Sequence, residues 1–248
     1  RTQVESVGKS GLPTVPFETE SSEIEGLGRK ADALVPADPI GSEGIVEKAK
    51  ARAEGQIARA VDVLKLHSES RLVERALKEA ESATALQRSK GLKLQEQGGN
   101  PDPLVAEGLR HHGLAVNALR SGDPETARAE LAESGENARK AREMVDAVVR
   151  AKDACRREGP ARDRETTRLR DALIEAKNYR DELEREFATA SWDGVARNLD
   201  QARALIGTFG RKAAEAATEG SDTRQNYLLG ARLYEELGRQ QQIALRLM

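Results

Sequence analysis

The stretch Pro124–Val148, PETARAELAESGENARKAREMVDAV, decides the fold. Its small and apolar residues Ala127, Leu131, Ser134, Ala138, Ala141, Val145 and Val148 recur at alternating steps of four and three. A helix turns once in 3.6 residues, so such steps return to one face, whereas a strand would need steps of two. A sustained 4-3 repeat is the heptad pattern of long helices packed side by side. Most other positions are Glu, Arg, Lys or Ala, all good helix formers. The residues in front, Ser121-Gly122-Asp123, supply a helix stop and an N-cap, and Pro124 suits the first helical position.

The same alphabet runs through the chain. Of 248 residues, 37 are alanine, 38% are hydrophobic, 33% charged and 3% aromatic. Lys and Arg number 40 against 42 Asp and Glu, a formal net charge of -2. A nucleic-acid binder carries a basic excess, so no nucleic-acid partner is expected. The apolar runs are far shorter than the ~20 residues that span a bilayer, so no transmembrane segment is expected. One cysteine leaves no disulfide framework. Arg1 in place of Met suggests a piece of a larger or processed protein. The composition suggests a bacterial one, from the cytoplasm or outside it.

Punctuation divides the chain. Residues 1–41 hold four of the eight prolines and read as a Pro-marked arm or linker. It is expected to be extended, with a short strand near Thr2–Val7 and a helix near Ser21–Leu34. Residues 42–248 read as a long-helix domain, with a possible sub-boundary near 98–103. Its expected helices run from Ser42 to about Leu66, from His67–Ser70 to about Gln97, and from Asp102 to Arg120. The next run from Pro124 to about Glu158, where Gly159-Pro160 forms a stop, and from Ala161 to about Ala188. The last two open near Trp192 and after Gly220. The first carries a stripe of Val46, Ala49, Ala53, Ile57, Ala60 and Leu64. The fold expected is all-α: an elongated bundle or irregular solenoid of about seven long antiparallel helices with an extended N-terminal arm.

Three seams overlay: Val73, Leu77, Ala80, Thr84; Ala127, Leu131, Ser134, Ala138; and Val195, Leu199, Ala202, Ile206. Each follows a polar stretch: His67-Ser68-Glu69, Ser121-Gly122-Asp123 and Ala190-Ser191. The phrases Ser121–Leu131 and Ser191–Leu199 resemble the tetratricopeptide-repeat family, which sets a polar turn before a helix of small and large residues at these steps. The resemblance implies a helical-hairpin scaffold that binds proteins or peptides. The helices here are about twice as long as that repeat's, and its 34-residue period is absent. Trp192-Asp193-Gly194 resembles the Trp-x-Gly turn of a family of secreted helical hairpins. That family's Tyr-x-x-x-Asp/Glu signal is missing, since Gly238 stands four residues after Tyr234 and Ala231 four after Tyr227.

Chemistry-bearing residues are scattered. Gly8-Lys9-Ser10 lacks the leading glycine of a phosphate loop, because Gln3 stands there. Ser6-Val7-Gly8-Lys9 has no partner motif. His111 and His112 point about 100° apart on a helix, and His112 falls on an apolar stripe. Cys155 continues a seam and reads as a buried thiol. No catalytic, cofactor-binding or metal-binding residue is assigned, and the chain is not expected to be an enzyme.

A protein or peptide partner is expected instead. Residues 150–170 hold eight basic and four acidic side chains, read as the tip where two helices meet. From it Arg156, Arg157, Arg162, Arg164 and Arg168 are candidate partner-binding residues. Trp192 is another, or else a plug expected to cluster with Phe187 and Phe209, whose truncation to Ala would cost ~3–5 kcal/mol. The function expected is a non-catalytic scaffold for protein–protein interaction. A secreted or cell-surface spacer, spectrin-like or built of Trp-x-Gly-type hairpins, is the alternative.

Overall fold

The computed structural model describes residues 2–97, 100–187 and 192–248, and is all-α with helices packed antiparallel. Seven helices occur among the described residues: α1 Thr2–Lys9, α2 Val15–Leu34, α3 Pro39–Ser89, α4 Asp102–Ser121, α5 Pro124–Glu186, α6 Asp193–Glu219 and α7 Tyr227–Leu247. A 3-10 turn covers Leu94–Gln97. The chain forms two compact units, residues 1–83 with 101–142, and residues 84–100 with 143–248.

In the first unit Val7, Leu12, Phe17, Val63, Leu66, Ala115, Leu119, Ala127 and Leu131 share one core. The N-terminal segment is therefore not an extended arm. Thr2–Val7 is helical rather than strand, with Val7 fully buried. The second helix begins six residues earlier than expected, because Pro16 sits at the first turn, where a missing N–H costs nothing. Phe17 and Ala31 are its buried residues. Ser42 does not cap the next helix; its hydroxyl donates to the Ala31 carbonyl at 2.9 Å. The cap is Asp38, which accepts the Gly41 N–H at 2.9 Å ahead of Pro39.

The expected break at His67–Ser70 does not occur, and α3 is one helix of 51 residues. None of His, Ser and Glu is a breaker; each costs under about 0.7 kcal/mol in a helix. The buried seam Gln56, Ala60, Val63, Leu66, Ser70, Leu77, Ala80, Thr84 runs straight through, so packing overrides weak local preference. One of the three overlaid seams thereby loses its turn, and the Ala190-Ser191 turn lies outside the described residues. The α4–α5 turn is as expected. Gly122 closes α4 with φ 73°, and Asp123 accepts the Thr126 N–H at 3.1 Å.

The seven seam residues from Ala127 to Val148 are all buried, the most exposed at 4%. The helix then passes through Gly159-Pro160 without stopping and reaches Glu186, a length of 63 residues. In the second unit α7 lies along this part of α5. Its buried residues Tyr227, Gly230, Tyr234, Leu237, Gln241 and Ala244 form a 3-4-3-4-3 seam. Leu169, Leu173, Leu199, Ile206, Phe209 and Leu237 form the core there. Burying Phe209 contributes about 2–3 kcal/mol by transfer alone. Phe187 is 55% exposed and outside that core, so the expected Phe187–Trp192–Phe209 cluster does not form.

Candidate interaction surface

The basic residues 150–170 are not a tip. They lie inside α5, and the helical twist sends them in different directions. Arg162 turns inward. Its guanidinium holds Glu158 at 2.6 and 3.0 Å, reaches Gln241 Oε1 at 3.4 Å, and fills the space beside Gly238 that a Cβ would need. It braces α5 against α7 and is engaged within the fold.

Arg156 belongs to a second cluster at the α6–α7 turn. Its Nη2 is 3.7 Å from Asp222, and Lys152 Nζ is 3.8 Å from the same carboxylate. Asp222 accepts the Tyr227 hydroxyl at 2.7 Å, and Lys152 Nζ stands 5.3 Å from the Tyr227 ring centroid. Burial and the Asp222 carboxylate push the Tyr227 phenol up to about 12. The hydrogen bond from Tyr227, with the nearby Lys152 and Arg156, holds the Asp222 carboxyl below its ordinary value. Cys155 beneath is buried, its thiol pushed up by burial, and it donates to the Tyr227 carbonyl at 3.5 Å. A neutral buried thiol is a packing group, not a nucleophile.

Arg157, Arg164 and Arg168 face outward and are exposed. Arg168 has one loose contact, to Glu165 at 3.9 Å. Trp192 precedes α6 as its N-cap residue, half-buried, with Nε1 enclosed and without a hydrogen-bond partner among the described residues. The candidate residues are thus three separate things: a brace, a turn cluster and an exposed arginine row, with Trp192 apart.

Two of the three histidines, His111 and His112, are engaged in the first unit, whereas His67 Nε2 is buried without a hydrogen-bond partner among the described residues. His111 Nδ1 is 2.6 Å from Glu130 and its Nε2 is 3.2 Å from Glu107. His112 Nε2 lies 2.9 Å from the Ser70 hydroxyl and 3.2 Å from the Ser70 carbonyl. No group of three or more His, Cys, Asp and Glu that could hold a metal occurs among the described residues. No described helix is long and apolar enough to cross a membrane.

One apolar feature departs from the sequence expectation. Val46 and Ile57, read on one apolar stripe with Ala60 and Leu64, are each 49% exposed, and Val61 and Leu72 are exposed with them. At ~100° per residue the four fall within about 80° of arc on α3. The spacing that could have revealed them is the eleven residues separating Val46 from Ile57 and Val61 from Leu72. Compared with protein-family models, curated proteins and solved structures, the chain matches none.

Proposed function

We propose that the protein is a non-catalytic helical scaffold that mediates protein–protein interaction. The observation that carries this is the exposed row of Val46, Ile57, Val61 and Leu72 on α3. Large apolar side chains aligned on one solvent-facing sector suit the apolar stripe of a partner helix. Lys50, Glu54 and Arg75 share that sector and would form its polar rim. Three of the groups that catalysis would draw on have structural work already: His111 and His112 join helices, and Cys155 packs. The α4–α5 hairpin, with its polar turn before a small-large-small seam, supports a tetratricopeptide-like mode of scaffolding.

A photo-crosslinking residue placed at Val61 or at Leu72, in the native host, tests this reading. A discrete adduct with one other polypeptide from both positions, lost on Ile57→Glu, supports it. No adduct, or an adduct only with the chain itself, overturns it. The second reading, a structural spacer, is favoured by helices of 51 and 63 residues.

A further inference from the structure

The outward face of α5 carries an order of charges that the fold leaves unused. Arg157, Arg164 and Arg168 are followed on the same face by Asp171, Glu175 and Glu182, and all six are exposed. At ~100° per residue the six fall within about 60° of arc. The buried residues Cys155, Thr166, Leu169 and Leu173 occupy the opposite side of the helix. Arg168 touches Glu165 at 3.9 Å; none of the other five has an ion pair among the described residues.

Within one helix Arg168 and Asp171, three residues apart, are the one attractive close spacing of the row, and the other close spacings are unfavourable. Arg164 sits four residues before Arg168, and Asp171 four before Glu175. Like charges at that spacing repel. The row therefore has a basic half and an acidic half, each at odds with itself.

Both halves are placed symmetrically about the peptide bond between Leu169 and Arg170. Arg168 and Asp171 are equally far from it, then Arg164 and Glu175, then Arg157 and Glu182. Rotating the helix by a half-turn about that point exchanges every arginine with a carboxylate. We propose that this face of α5 pairs with the same face of a second copy of the chain, antiparallel and two-fold symmetric. Arg157 then meets Glu182 of the other copy, Arg164 meets Glu175, and Arg168 meets Asp171. Each contact occurs twice, as an isologous interface requires.

The uncharged positions obey the same symmetry. Pro160 and Tyr179, both exposed, are equidistant from the centre, so the Tyr179 ring of one copy lies on the proline of the other. Ala161 faces Asn178, small enough for the helices to come close. The complementarity ends beyond Glu182, where Asp153 would face Glu186, so the pairing is confined to residues 157–182. This proposal concerns a different helix from the α3 row and does not rest on the function proposed above.

The test is a charge exchange read by sedimentation equilibrium on the purified chain. The wild type is expected to dimerise at about 50 mM salt, with Kd rising at least tenfold at about 500 mM, where screening is short-ranged. Arg157→Glu with Arg164→Glu leaves Arg168 as the one basic residue of the face; Glu175→Arg with Glu182→Arg leaves Asp171 as the one acidic residue, so only the Arg168–Asp171 contacts survive in either homodimer. Each variant alone is expected to be monomeric with wild-type circular dichroism, and an equimolar mixture of the two to form a heterodimer. The mixture also shows that both variants fold. A wild type monomeric at low salt, or variants that still self-associate, or a mixture that stays monomeric, overturns the proposal.

Discussion

Gln241 of α7 donates from Nε2 to the carbonyl oxygen of Arg162 at 2.9 Å, two residues beyond Pro160 in α5. The same nitrogen lies 3.0 Å from the Thr166 hydroxyl. Pro160 has no N–H for the Arg156 carbonyl, and an interior proline costs a helix about 3 kcal/mol. α7 offsets this by spanning the weak point with Tyr234, Gly238 and Gln241. Pro160→Ala is therefore expected to raise stability by about 1–3 kcal/mol in a urea melt, since the ring is exposed and packs on little. Gln241→Leu should lower it by about 0.5–1.5 kcal/mol. A destabilised Pro160→Ala would show that the ring itself is needed.

Gly220 and Gly230 let the α6–α7 turn close over Cys155. A Cβ on Gly230 would stand 2.9 Å from the Gly220 backbone, and one on Gly220 2.8 Å from the Cys155 sulfur. Backbone cannot yield as a side chain can, so Gly230→Ala is expected to cost about 2–3 kcal/mol. Gly220→Ala should cost less in a Cys155→Ala background than alone. A double-mutant cycle measures this, and a coupling of zero would refute the close contact.

Alkaline pH should act through Tyr227. Its folded value of about 12 lies above the ordinary 10, so the fold favours the neutral phenol. That contribution is complete below pH ~10 and is lost as pH rises towards 12, on the order of 2 kcal/mol. Asp222 shifts the other way, so its contribution is present above the ordinary carboxylate range and lost as pH falls. Denaturant melts from pH 8 to 12 should show a steeper alkaline decline in the wild type than in Tyr227→Phe. Parallel curves would remove Tyr227 as the cause.

Trp192 is half-buried, so its truncation should cost less than that of a core tryptophan, about 1–3 kcal/mol for Trp192→Ala. Its enclosed Nε1 has no partner among the described residues, and an unpaired buried donor is itself a penalty. Trp192→Phe removes that donor and is expected to be neutral or stabilising by up to about 1 kcal/mol. Thermal melts of both variants decide it; a Phe variant as unstable as Ala would mean the indole nitrogen is bonded.

The all-α class and the seam from Ala127 to Val148 were legible because an uninterrupted heptad leaves no alternative face. Of the α6 seam read as Val195, Leu199, Ala202 and Ile206, the last three are buried, while Val195 in the first turn is 43% exposed. Two helix ends were not legible. His67–Ser70 and Gly159-Pro160 look like breaks, but other helices pack across both, α4 through His112 on Ser70 and α7 through Gln241 on Arg162, which local sequence does not contain. Val46 and Ile57 were read on one stripe with Ala60 because apolar residues at helical spacing do not reveal which of two apolar faces is covered. The arginines of 150–170 were read as one patch because they are close in sequence. Their separation into Arg162 inward, Arg156 at the turn and Arg157, Arg164 and Arg168 outward follows from helical rotation.

The brace across Pro160 also bears on the order in which the chain is made. A ribosome releases α5 long before α7, and in that interval Pro160 interrupts a nascent helix with nothing laid across it. The first unit has all its helical segments available once residue 142 has emerged, whereas the second must wait for its last helix. Folding during synthesis is therefore asymmetric: the early half can close while the later half stays open, and the final turns of α7 act as the latch.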